Sequence, residues 1–273
     1  MSARLRLLAV LLASAGCRST EEAPAEGPGP PEIVRAALAH PGFRWQTRTA
    51  PHFLLHVPEG SYASTRVDTV SRALAQAWDD VSTRLSIDGE PERVEAFVVE
   101  DRNEIAALVG QPAGGWSDTR ANAAFFVYNA EGAPPYRHEL GHLLSWRRWG
   151  DPAALWLSEG VAVYAVGGCA GHGLHEWAAS LAADGLLVPL NALEPFDFTK
   201  AAPHLEAGSF LAYVAETHGI GALRALWSGG LRAAEEATEQ SAAALEASWQ
   251  AHVARVVLPP GERPDGRGRV RCE

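Results

Sequence analysis

The stretch from Tyr136 to Val166 constrains the fold of this chain more than any other. A helical period runs from Tyr136 to Trp149 and stops at Gly150. Asp151-Pro152 then offers an N-cap with proline at the first helical position, and a second helical run carries Leu155 to Val166. Two helices joined by so short a reversal can fold back on one another. The first contains His138-Glu139-Leu140-Gly141-His142. Positions i and i+4 lie one above the other on a helix, so both imidazoles can reach a single ion. Glu139 is displaced around the helix, where its carboxylate can hydrogen-bond a water beside that ion without ligating it. The second helix supplies Trp156-Leu157-Ser158-Glu159-Gly160. A catalytic Zn²⁺ needs a third protein ligand and an open position, and Glu159 is the expected third ligand.

The segments before this pair read differently. Phe53 to Val57 and Val94 to Val99 have strand character, Tyr62 to Leu85 is an amphipathic helix, and Arg102 to Leu108 is a short helix. The helix assignment rests on Val67, Val70, Leu74, Ala77, Trp78, Val81 and Leu85, which share one face. After the turn-rich Gly110 to Ser117, the apolar run Ala123 to Tyr128 reads as a third strand. Gly114-Gly115-Trp116 is expected to be a turn and a candidate wall of a cleft. Beyond the metal-type motif, helical periods occupy Leu174 to Ala183, Ala207 to Thr217, Ile220 to Trp227 and Ala233 to Val253. The expected fold class is α+β, with a small mixed sheet-bearing lobe over residues 33–130 packed on a mainly helical lobe over 131–258.

The ends are of another kind. Residues 1–16 carry two arginines, an apolar stretch and then small residues, the layout of an export signal. Ser14-Ala15-Gly16-Cys17 is similar to a bacterial lipobox, so Cys17 is the expected lipidation site, with a soluble periplasmic or secreted form as the alternative. Residues 17–32 are rich in Pro, Gly and Glu and read as a flexible linker, and residues 259–273 as an extended tail. An oxidising compartment would permit Cys169 and Cys272 to pair. Membrane contact is expected through the lipid anchor alone. With 23 basic against 33 acidic residues, a net charge of −10 and no basic stripe, nucleic acid is excluded as a natural partner.

HELGH followed by WLSEGVAVY resembles the gluzincin zinc metallopeptidases, in particular the bacterial peptidase MA-like family with its W-L-x-E-G-x-A-x-Y signature. Ala207-Gly208-Ser209-Phe210-Leu211-Ala212-Tyr213, followed by His218-Gly219, is similar to that family's helix after the site. The resemblance covers roughly residues 43–255. It implies a zincin-like fold, Zn²⁺ held by His138, His142 and Glu159, Glu139 as catalytic base and acid, and peptides or proteins as substrates. Relatives often place a tyrosine just before the AGSF-like segment to steady the oxyanion. Here His204 stands at that place, which makes it the oxyanion candidate and Tyr213 its rival.

Ser145 and Arg148 occupy the glycine and third-histidine positions of a metzincin, and the sole methionine is Met1, so the GxMxN strand of zinc aminopeptidases is missing. Endopeptidase action is therefore favoured, with the Ala123 to Tyr128 strand available to bind substrate backbone by edge addition. Two alternatives stand beside it: a non-catalytic envelope lipoprotein keeping the fold as a binding module, and hydrolysis of a non-peptide amide. Cys169, His172 and His175 have metal-like spacing but lack a fourth ligand.

Overall fold

A computed structural model of the chain describes residues 31–88, 93–132 and 134–258. A five-stranded mixed sheet comes first. Its strands are β1 (Trp45–Ala50), β2 (Phe53–Pro58), β3 (Val94–Val99), β4 (Gly115–Asp118) and β5 (Ala123–Val127), in the spatial order β1-β2-β3-β5-β4. β2, β3 and β5 run parallel, and β1 and β4 close the two edges antiparallel. Parallel strands need covering on both faces, and the apolar runs of β3 and β5 reflect this. Ala96, Val98, Ala124 and Phe126 face α2 (Val67–Leu85) and the main core; Phe97, Val99, Ala123 and Phe125 face α1 (Glu32–Leu38) and α3 (Arg102–Val109) in a second, smaller core.

The rest is helical. α4 (Tyr136–Trp149) and α5 (Leu155–Val166) form the helix pair read from the sequence, followed by α6 (Leu174–Ala183), α7 (Ala201–Gly229), α8 (Ala234–Thr238) and α9 (Ala242–Val253). α5 is buried almost all round, packed between α4 and α7. Two glycines permit that closeness. A Cβ on Gly141 would stand 2.9 Å from the Ala162 Cα on α5, and one on Gly208 of α7 would strike the Val163 side chain. The architecture is thus α+β and zincin-like, a small sheet-bearing region packed against a mainly helical one.

Several elements differ from the sequence expectation. β1 is an edge strand whose middle residues are exposed, so Trp45 to Ala50 carries no apolar alternation to read. Gly110 to Ser117 does not end as a turn: its last residues enter β4. That strand takes the edge, which leaves β5 in the interior between β3 and β4. Ala123 to Tyr128 therefore cannot accept a substrate by edge addition, because both of its sides are already hydrogen-bonded. Asp151-Pro152 does not cap α5 either. The N-cap is Ala154 without a side-chain cap, and the free N–H of Leu155 donates instead to Glu194 Oε1 at 3.0 Å.

α7 starts at Ala201, earlier than its apolar period, and breaks at Gly219 (φ 84°, ψ 166°), where two helices were expected. The single run expected over 233–253 is split at Glu239 (φ 59°) and restarts at Ser241, whose hydroxyl accepts from the Ala244 N–H. Among the described residues no helix is long and apolar enough to cross a membrane. The export signal, Cys17, most of the linker, the tail and Cys272 lie outside the described residues. Cys169 is disulfide-bonded.

Candidate metal centre

α4 and α5 bring three potential ligands together. His138 and His142 stand one turn apart on α4, their Nε2 atoms 3.2 Å from one another. Glu159 comes across from α5 with Oε2 3.5 Å from His138 Nε2 and Oε1 3.5 Å from His142 Nε2. Among the described residues these three form the one group of His, Cys, Asp or Glu whose ligand atoms fit a shared cation. The spacing carries chemical information. A tetrahedral zinc with ligands at about 2.0–2.1 Å sets its ligand atoms about 3.3 Å apart. The 3.2 Å between the two imidazole nitrogens is close to that edge length, and each oxygen of Glu159 lies 3.5 Å from one of them. Two imidazole nitrogens and a carboxylate also make a donor set suited to Zn²⁺. The residues present fit a divalent cation.

The electrostatics agree. Burial pushes the His142 imidazolium down to about 4, with the neighbouring His138 and His204 adding to the effect and Glu159 opposing it. For Glu159, burial alone would raise the carboxyl, but the charge of His142 and hydrogen bonds from His138 and His204 hold it well below the ordinary carboxylate range. Neutral imidazole beside ionised carboxylate is the protonation state that a metal requires. His142 is also oriented from behind: its Nδ1 lies 3.0 Å from Ser158 Oγ, which accepts a hydrogen bond from the Trp146 indole N–H at 3.0 Å. A fixed Nδ1 presents Nε2 to the cluster.

Glu139 is displaced around α4 from the two histidines and lies against β4, within reach of the His138 and Glu159 charges. It is only 6% exposed. Desolvation raises its carboxyl to about 7, against the lowering influence of the His138 charge and a hydrogen bond from the Ser117 side chain, while the Glu159 charge raises it further. Room for it depends on Gly115: a Cβ there would sit 2.6 Å from Glu139 Oε1 and would also strike Pro135. Gly115 is thus part of a wall of the site, and Gly115-Trp116 is built as strand where the sequence suggested a turn.

His204, in the first turn of α7, reaches the same place. Its Nε2 is 3.4 Å from Glu159 Oε2, and its Nδ1 is 2.8 Å from the Lys200 carbonyl. A carbonyl only accepts, so Nδ1 carries a hydrogen, and the ring donates toward the cluster when Nε2 is protonated as well. His204 lies outside the three-ligand group. Tyr213 is not brought to it. It follows nine residues later on α7, a rise of about 13 Å, and its ring packs near His252 and His218. Cys169, His172 and His175 diverge: Cys169 is disulfide-bonded, His172 faces Glu176, and His175 bonds Ser209 and Glu216.

Ser158, Ser117 and Glu194 do not stand out in the sequence. Ser158 is visible there only as the residue preceding Glu159. Ser117 carries no signal, because its strand is four residues long and begins with glycine. The chain matches no protein-family model and no curated protein sequence. Fold and site define an α+β chain with a half-buried His-His-Glu centre able to coordinate a metal ion.

Proposed function

We propose that this chain is a zinc-dependent peptide hydrolase of the gluzincin type, related to the peptidase MA-like proteins, and that it acts as an endopeptidase. The observation that carries the reading is the pairing of the convergent His138, His142 and Glu159 with a second, unliganding carboxyl, Glu139. A purely structural metal site has no use for such a neighbour. Zn²⁺ in this site supplies Lewis acidity, which makes water a better nucleophile at neutral pH and polarises a carbonyl.

The chain's own groups do the rest. His138, His142 and Glu159 hold the ion, and Ser158 keeps His142 turned toward it. Glu139, with its carboxyl raised to about 7, takes a proton from the attacking water at one oxygen and passes it to the departing amine nitrogen. His204, held at Nδ1 by the Lys200 carbonyl, turns Nε2 toward the oxygen that gains charge as the carbonyl carbon becomes tetrahedral. β4, not β5, is the edge on which an extended peptide would pair. Export through residues 1–16, lipidation at Cys17 and residence in the bacterial cell envelope belong to the same proposal, with residues 17–32 as the tether.

The test compares the zinc-loaded wild type with Glu139→Gln and His142→Ala on casein and on a peptide library. Retained zinc with lost cleavage in Glu139→Gln, and lost zinc in His142→Ala, are the expected results. One zinc per wild-type chain with no peptide cleaved would favour the binding-module reading.

A further inference from the structure

Away from the metal centre, three helices meet over ionisable groups that the proposed hydrolysis does not use. His175 stands in the first turn of α6, Ser209, Tyr213 and Glu216 lie on α7, and Trp249 and His252 on α9. His175 Nδ1 is 2.9 Å from Ser209 Oγ, and its Nε2 is 3.2 Å from Glu216 Oε2. The His252 ring is set edge to face on that of His175, with centroids 4.6 Å apart, and 5.3 Å from the Tyr213 ring. Both histidines are half-buried. Glu216 follows His204 by twelve residues on α7, a rise of about 18 Å that sets this cluster well apart from the metal centre.

Ser209, His175 and Glu216 have the order of a nucleophile, a base and an acid, but no nucleophile is presented. Ser209 is fully buried, and its oxygen already accepts from the Trp249 indole N–H at 3.1 Å. The network is a joint between helices. A neutral His175 satisfies it, taking the Ser209 hydroxyl hydrogen on Nδ1 and donating Nε2–H to Glu216. α9 is tied into the same joint by Trp249 on Ser209 and by the His252 ring on His175.

The charges that act on His252 are those of His175, Glu216 and Arg255. The other polar groups nearby are turned elsewhere. Tyr213 and, beyond it, His218 border the cluster from α7, His172 lies 3.5 Å from Glu176, and Glu246 of α9 accepts from the Leu190 N–H. Glu216 is thus the one carboxylate set against the two imidazoles, and its side chain is 58% exposed, so solvent weakens what it can offset.

We propose that His175, His252 and Glu216 form an acid-sensitive joint: neutral imidazoles hold the end of α9 against α6 and α7, and proton uptake, which sets a charged His252 against His175 and Arg255, loosens it. The direction follows from burial, which with the His175 and Arg255 charges pushes the His252 imidazolium below its ordinary value of 6.5 against the pull of Glu216. The folded chain therefore takes up this proton less readily than the unfolded one. Docking of α9 is firm above 6.5 and weakens as pH falls from there toward the lowered value.

The test is amide hydrogen exchange of the full chain at about pH 7.5 and about pH 5, corrected for the intrinsic pH dependence of exchange. It is read in α9 and, as a control, in β2 and β3. Protection of α9 in the wild type should fall about tenfold at the lower pH while that of β2 and β3 holds. His252→Gln keeps a polar side chain that takes no charge, so its α9 should be equally protected at both values. Two variants at exposed positions give a second reading, in opposite directions. Arg255→Gln removes a cation and should shrink the loss, whereas Glu216→Gln removes the offsetting carboxylate and should deepen it. An α9 equally protected at both values in the wild type overturns the joint. So does a loss that survives His252→Gln, and so does one shared equally by β2 and β3, which is general acid unfolding.

Discussion

Each functional side chain of the centre depends on the residue immediately behind it. Ser158 holds His142 Nδ1, and orienting partners of metal-bound histidines contribute substantially to affinity. Ser158→Ala is therefore expected to weaken zinc binding about 10- to 100-fold, read by competition with a chromophoric chelator. Unchanged affinity would mean that Ser158 does not orient the ring. Gly115→Ala acts on the other carboxyl. Its new methyl group would overlap Glu139 Oε1 and Pro135, so Glu139 must move while the three ligands need not. The variant should keep its zinc and lose about 10²-fold or more in kcat, as loss of a general base does. Loss of zinc with kcat per bound zinc preserved would contradict that separation. The ligands and Glu139 were legible in the sequence because the helical repeat alone puts i and i+4 on one face. The residues behind them were not, since Gly115 and Ser117 reach Glu139 only through strand pairing that no local pattern announces.

Among the secondary-structure elements, α5 is the one whose position matters most, and two devices set it. One is the glycine-lined contact with its neighbours, where Gly208→Ala would drive a methyl group into Val163 and cost about 1–3 kcal/mol of stability, measured by urea unfolding. The other is the remote cap. Glu194→Ala removes the acceptor for the Leu155 N–H and should cost about 1 kcal/mol, the usual worth of an N-cap. A loss within error of zero would show that solvent replaces it. α4, α5 and α6 could be read from the chain to within a residue, because Gly150, Gly167 and Gly173 punctuate long periodic runs. Sequence proximity points to Asp151 as the cap, whereas the acceptor comes from 39 residues downstream. β1 and β4 escape the sequence for a related reason. Short edge strands need only one covered side, so they carry neither the length nor the alternation that marks a strand.

For the molecule as a whole, the core holds a buried acid whose titration is felt globally. Glu206 of α7 is 1% exposed and accepts from the Val188 N–H. Burial raises its carboxyl to about 8, with the nearby Glu246 charge adding and the Val188 hydrogen bond opposing. The folded chain therefore holds a proton that the unfolded chain releases above its ordinary value of 4.5. Stability from this group is full below that value and declines as pH rises toward 8, by at most about 1.4 kcal/mol for each pH step of one. Glu206→Gln should flatten the decline and make the protein more stable than wild type at pH 8–9 in urea melts; an equal slope in both would contradict the assignment. The α+β layering was legible from the change of period near residue 130, and the sheet order was not, because crossover topology leaves no local trace. All of it positions one cluster, which zinc-edge X-ray absorption on the purified chain would probe at the ligands themselves. Two imidazole nitrogens with oxygen donors at about 2.0–2.2 Å, no sulfur, and a changed oxygen shell in Glu159→Ala are the expected results. A chain that retains no zinc, a sulfur ligand, or a spectrum indifferent to Glu159→Ala would contradict the His-His-Glu centre.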